Sequence, residues 1–135
     1  MHYMFHVCKS LVSIDLSNFN TNNVNTMTGM FFGCQSLESI NLSSFNTSNV
    51  EEMNQIFYYC ESLKSINLSN FNTENVRDMC SMFAGCKSVN SINLSNFNSK
   101  KLKYMIAMFD KVPRNCKIIC DDKTICKEIS SCLIY

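Results

Sequence analysis

Apolar positions follow two alternating rhythms along this chain, and the pair of rhythms recurs every 26 residues without insertion or deletion. The first rhythm is L-x-x-I-x-L-x-x-F. It is carried by Leu11, Ile14, Leu16 and Phe19, then Leu37, Ile40, Leu42 and Phe45, then Leu63, Ile66, Leu68 and Phe71, then Val89, Ile92, Leu94 and Phe97. The alternation at its centre is the period of a short strand with one buried face. The second rhythm has three-and-four spacing. It runs through Val24, Met27, Met30, Phe31 and Cys34, Val50, Met53, Ile56, Phe57 and Cys60, Val76, Met79, Met82, Phe83 and Cys86, and Leu102, Met105, Met108 and Phe109. That spacing predicts an amphipathic helix of two to three turns. Between strand and helix lies a polar turn such as Asn46-Thr47-Ser48-Asn49. Asn23, Asn49 and Asn75 are placed to cap the helices, with Glu52 and Asp78 three residues on.

A fixed period of this length predicts a stack of units that bury a common core. The expected fold is an α/β solenoid of leucine-rich-repeat type. It is a right-handed coil with a short-stranded parallel sheet on one face and short helices on the other. A partial first unit (Met1 to Leu11) precedes units starting near Ser13, Ser39, Ser65 and Ser91, giving a repeat region over 1–112. Phe19, Phe45, Phe71 and Phe97 are expected to stack as a spine. After Phe109 the pattern decays, and Pro113 interrupts any helix. Ile118 and Cys120 still occupy the strand slots of a fifth copy. Thr124 is placed to cap a last helix with Ile125, Ile129 and Cys132 on one side. Residues 113–135 therefore read as a C-terminal cap, which an open stack requires. The N-terminal end shows no such cap, and the chain opens mid-unit. This points to a fragment, and to that end as a surface for self-association.

The outward strand slots are equally regular: Ser39, Asn41 and Ser43, Ser65, Asn67 and Ser69, and Ser91, Asn93 and Ser95, with Ser13, Asp15 and Ser17 before them. They predict an almost uncharged lattice of hydroxyl and amide groups. One reading is a solvated face; the other is a protein-recognition surface, for which these nine residues are the candidates. Asn41, Asn46, Asn67 and Asn93 also begin N-x-[ST] acceptors, which matter only in a eukaryotic secretory setting.

Composition adds limits rather than a chemistry. The formal charge is +1, from 12 basic and 11 acidic residues, so charge gives no support for nucleic-acid binding. Basic residues cluster only from Lys100 to Lys127. No apolar run approaches membrane-spanning length, and the first residues lack the plan of a signal peptide. The two histidines, His2 and His6, sit together in the partial unit. No paired carboxylates or phosphate loop appear, so no enzyme, cofactor or metal is expected. Nine cysteines divide into a spaced set (Cys8, Cys34, Cys60, Cys86), a C-terminal set (Cys116, Cys120, Cys126, Cys132) and Cys80. The spaced set is expected to be free core thiols. For the C-terminal set, free thiols, cap disulfides in an exported protein and a weakly signalled zinc site stay open.

The repeat resembles a known leucine-rich-repeat type, the BspA-like family and the surface-protein repeats of mycoplasmas. Leu37, Ile40, Leu42, Phe45, Val50, Met53, Phe57, Cys60 and Ser62 carry the match, and the other units repeat it from about Met1 to Phe109. Ile56, Lys101 and Val112 depart from it. The resemblance implies a non-enzymatic surface or secreted protein, often a lipoprotein, with roles in adhesion and binding of host or matrix proteins. It assigns no binding residue. A purely structural or antigenic array and an intracellular, cytoplasmic scaffold are the alternatives.

Overall fold

Three short strands, each one period after the last, form a parallel sheet in the order β1–β2–β3. They are β1 (Ser65–Asn67), β2 (Ser91–Leu94) and β3 (Lys117–Cys120). Ile66 pairs with Ile92 and Ile92 with Ile118, so the register is one period throughout. A computed structural model describes residues 1–133 of the chain; residues 134–135 of the expected cap lie outside the described residues. The fifth strand copy read from Ile118 and Cys120 is therefore present as β3. The earlier copies at Ser13 and Ser39 form no ladder. Leu16 and Leu42 still point inward and are buried, but Ile14 and Ile40 are only half-buried.

The segments with three-and-four spacing are not α-helical. Alternate amides leave the unit and bond to the next one. Met27, Gly29, Phe31 and Gly33 donate to the carbonyls of Glu52, Asn54, Ile56 and Tyr58 at 2.9, 3.0, 2.9 and 2.7 Å. Met53, Gln55, Phe57 and Tyr59 donate in the same way to Asp78, Cys80, Met82 and Ala84, and Met79, Ser81, Phe83 and Gly85 to Tyr104, Ile106, Met108 and Asp110. The amides between them close local turns, as Met30 does on Met27 and Cys34 on Phe31. The cause is a left-handed residue at every fourth position: 29 and 33, 55 and 59, 81 and 85, 107 and 111. Each reverses the backbone that a helix would continue. At non-glycine residues such as Gln55 and Tyr59 this costs about 1–2 kcal/mol. The inter-unit ladder, which satisfies otherwise buried amides, offsets that cost.

Inward-pointing side chains of these turns and of the strand slots form one continuous core. Met27, Phe31, Cys34, Leu37, Val50, Phe57, Cys60, Leu63, Phe83 and Leu94 are essentially inaccessible. The stacked aromatic column is not the one expected. Phe45, Phe71 and Phe97 are buried and Phe19 half-buried, but the stacked pairs belong to the other phenylalanine slot. Phe5, Phe31, Phe57, Phe83 and Phe109 follow one another at 5.4, 5.9, 5.9 and 5.5 Å with nearly parallel rings. The exposed large apolar side chains among the described residues lie in the first and last parts of the chain: Tyr3, Met4, Val7, Val12, Tyr104, Ile106 and Ile119.

The expected asparagine caps have another use. With no helix to cap, Asn49 Nδ2 donates back to the Asn22 carbonyl and Asn75 Nδ2 to the Ser48 carbonyl, both at 2.8 Å. Lys101, which replaces asparagine in the next unit, extends its Nζ to Asn75 Oδ1 at 2.7 Å. The last helix is present as α1 (Lys123–Leu133), with Ile125 buried and Ile129 and Cys132 against the core. Its cap is Asp122 rather than Thr124. Asp122 Oδ1 accepts from the amides of Thr124 and Ile125 at 2.9 and 3.0 Å.

Candidate functional site: the outward Ser-Asn strip

In β1, Ser65 and Asn67 flank buried Ile66 and are exposed; in β2, Ser91 and Asn93 flank Ile92 and are half-exposed. The pairing sets Ser65 beside Ser91 and Asn67 beside Asn93. The sheet thus brings four of the nine candidate residues into one two-by-two lattice. Lys117 and Ile119 replace serine and asparagine in β3 and end it. Ser69 and Ser95 follow just beyond the strands and are half-exposed. Ser39, Asn41 and Ser43 are exposed but belong to no strand, so the structure does not join them to the lattice by pairing.

All three asparagines have one local role. Asn41, Asn67 and Asn93 accept the amide of the residue two positions on through Oδ1, at 3.0, 3.1 and 3.1 Å from Ser43, Ser69 and Ser95. This is the asparagine-stabilised turn that such side chains favour. Asp15 does the same for Ser17 at 2.9 Å, and that backbone hydrogen bond holds its carboxyl below the usual range. The acceptor atom is thus engaged inside the protein. The Nδ2 donors of Asn41, Asn67 and Asn93 make no hydrogen bond among the described residues. Beside the strip, Asn70, Phe71, Asn72 and Asn96 line an open hollow of about 280 Å³. Asn70 Nδ2 lies 3.1 Å from the Leu42 carbonyl and 3.2 Å from that of Phe45, and Asn96 Nδ2 reaches Ser69, so these amides bind the units to each other.

Charge lies off the strip. Arg77 pairs with Glu51, Lys87 with Glu61 and Lys100 with Glu74 at 3.0, 2.9 and 3.5 Å, each pair one period apart. All are solvent-accessible, so each contributes at most about 1 kcal/mol. His6 and His2 pack against aromatic rings, His6 on Phe32 at 4.9 Å and His2 on Tyr3 at 4.4 Å. Among the described residues, no three His, Cys, Asp or Glu side chains converge as a metal site would require.

Three features escaped the reading of the polar slots. Thr21, Thr47 and Thr73 are buried, and each hydroxyl both donates to and accepts from one backbone residue of the next unit. Thr73 Oγ1 donates to the Asn98 carbonyl at 3.1 Å and accepts its amide at 2.8 Å. Thr47 binds Asn72, and Thr21 binds Asn46, in the same way. A threonine at one slot of three successive units was the available signal. In the fourth unit Ser99 takes the slot, and Asp122 Oδ2 receives its amide and hydroxyl at 2.9 and 3.0 Å. The third feature is a tyrosine that crosses a glycine. The Tyr3 ring lies where a Cβ on Gly29 would fall, and its hydroxyl donates to Gln55 Oε1 at 3.1 Å. Tyr59 crosses Gly85, and Lys111 Nζ reaches its hydroxyl at 3.5 Å.

No curated protein and no solved structure matches the chain. One family model matches twice, over residues 1–66 and 38–119, so that together the matches take in all four full units. By that match the chain belongs to the repeat family described as "Mycoplasma protein of unknown function, DUF285".

Proposed function

We propose that this chain is a non-enzymatic repeat protein whose polar sheet face binds another protein, a host or matrix protein, at a cell surface or in secreted form. It is read as a right-handed leucine-rich-repeat-like solenoid over 1–112, of BspA-like type, closed by a cap over 113–135. The observation that carries the proposal is the lattice of Ser65, Asn67, Ser91 and Asn93. It is uncharged, accessible and set in register, and its Nδ2 donors make no hydrogen bond among the described residues. Regular donors on a stiff support suit polar recognition of a partner.

A second reading, a structural or antigenic array, is favoured by the engagement of each asparagine Oδ1 in its own turn. The two separate experimentally. Asn41, Asn67 and Asn93 are changed together to Asp, which keeps the turn acceptor that Asp15 already provides and removes the Nδ2 donors. Binding to immobilised matrix proteins is then measured, with circular dichroism to verify the fold. Loss of binding in a folded variant supports recognition by the strip. Unchanged binding by that variant, or no binding by the native chain, supports the array.

A further inference from the structure

The nine cysteines occupy distinct environments. Cys34, Cys60 and Cys86 form a buried column, each thiol donating to the carbonyl of Phe5, Phe31 or Phe57 in the preceding unit at 3.0, 3.1 and 3.2 Å. Cys116 is buried, and Cys132 faces Glu128 Oε1 at 3.4 Å. Cys120 and Cys126 differ from these. Cys120 ends β3, Cys126 lies in the first turns of α1, and both are half-buried. Cys126 Sγ donates to the Cys120 carbonyl at 3.3 Å and Cys120 Sγ lies 3.7 Å from the Asp122 carbonyl, so the second thiol sits against the residue that carries the first.

The turn between them is fixed from both sides. Asp122 caps α1 through Oδ1 and binds Ser99 of the fourth unit through Oδ2. The thiols are therefore held together by the fold rather than meeting by chance, which raises their effective concentration. We propose that Cys120 and Cys126 are a redox-responsive pair that closes into a disulfide tying α1 to β3 when a small-molecule disulfide such as oxidised glutathione is present.

The chemistry is two thiol–disulfide exchanges. The Cys126 thiolate attacks one sulfur of the oxidant, whose S–S bond breaks and releases one reduced thiol. The Cys120 thiolate then attacks the Cys126 sulfur of the mixed disulfide and releases the second. The cysteines give up two protons and two electrons, and the oxidant becomes two thiols. Burial pushes the Cys120 thiol up to about 12, so its attack on the mixed disulfide should quicken as the pH rises. The product fastens the helix that carries Ile125 and Ile129 over the end of the core. This inference is independent of what the Ser-Asn strip binds.

The test incubates the native chain with oxidised and reduced glutathione, then blocks free thiols with N-ethylmaleimide and digests with trypsin. Cleavage after Lys117, Lys123 and Lys127 separates the two cysteines into different peptides, so a linkage between them is directly visible by mass. The expected result is a Cys120–Cys126 linked pair, lighter by two hydrogens, retained in Cys132→Ser and absent in Cys126→Ser. Proteolysis after Lys127 in the native chain should also slow on oxidation and recover on reduction. A stable glutathione adduct on Cys126, both thiols remaining free, or linkage of either one to Cys116 or Cys132 would overturn the proposal. Circular dichroism of Cys126→Ser separates loss of the bond from loss of the fold.

Discussion

Removal of the Thr73 hydroxyl tests whether side chains inside the stack hold successive units together. Thr73→Val keeps the shape and deletes one oxygen. That oxygen is inaccessible and serves both the amide and the carbonyl of Asn98, at 2.8 and 3.1 Å. Two hydrogen bonds are lost, each contributing about 1 kcal/mol net, and a partly buried amide left without a partner costs about 1–3 kcal/mol. The added methyl returns about 0.8 kcal/mol. The expected net destabilisation is about 2–4 kcal/mol, by combination of those values. Thr73→Ser is the control: it keeps the hydroxyl and gives up a methyl, for about 1 kcal/mol. Urea denaturation followed by circular dichroism measures both, with the slope checked so that only the midpoint carries the comparison. If Thr73→Val proves as stable as Thr73→Ser or more so, the hydroxyl is not an inter-unit rivet and the reasoning from buried threonines fails.

Other consequences are equally open to measurement. Phe57→Ala, in the middle of the stacked column with rings 5.9 Å away on both sides, should cost about 3–5 kcal/mol in the same denaturation assay. Gly29→Ala should displace the Tyr3 ring and add left-handed strain, lowering stability by at least about 1 kcal/mol, with little further loss when Tyr3 is also changed to Ala. Asp122 should govern the acid limb of stability. Burial pushes its carboxyl up, but hydrogen bonds from Ile125, Ser99 and Thr124 outweigh burial and hold it below the usual range. Its contribution is therefore fully present above the unfolded carboxylate pKa and lost as pH falls through the lower folded pKa, and Asp122→Asn should flatten the loss between about pH 5 and 2. Burial pushes Cys34 up to about 11 and Cys86 up to about 12. A disulfide reagent at pH 8 should accordingly label these two only at the rate of unfolding.

The sequence reading succeeded where side chains, not backbone angles, carried the signal. The period, the inward leucines, the buried Met-Phe-Cys stripe and the β3 register at Ile118 all follow from which residues avoid water. The helices failed because three-and-four spacing reports only which side chains face one way. A turn with left-handed residues at positions 55 and 59 buries Met53, Ile56, Phe57 and Cys60 just as a helix would. Glycines at 29, 33 and 85 hinted at this, but Gln55, Tyr59 and Ser81 fill equivalent slots and hide the constraint. The asparagine caps failed with the helices they were meant to cap. The outward placement of Asn67 and Asn93 was legible from strand alternation. The engagement of each Oδ1 in a local turn was not, because it depends on where the strand stops.

Everything here rests on units that bond to one another, residue for residue, across one period. Through-hydrogen-bond couplings between amide nitrogen and carbonyl carbon, measured by NMR on the labelled chain, test this most directly. The account predicts couplings from Phe31 to Ile56, from Phe57 to Met82 and from Phe83 to Met108. Coupling of the Phe57 amide to the Met53 carbonyl, four residues back as in an α-helix, would contradict it.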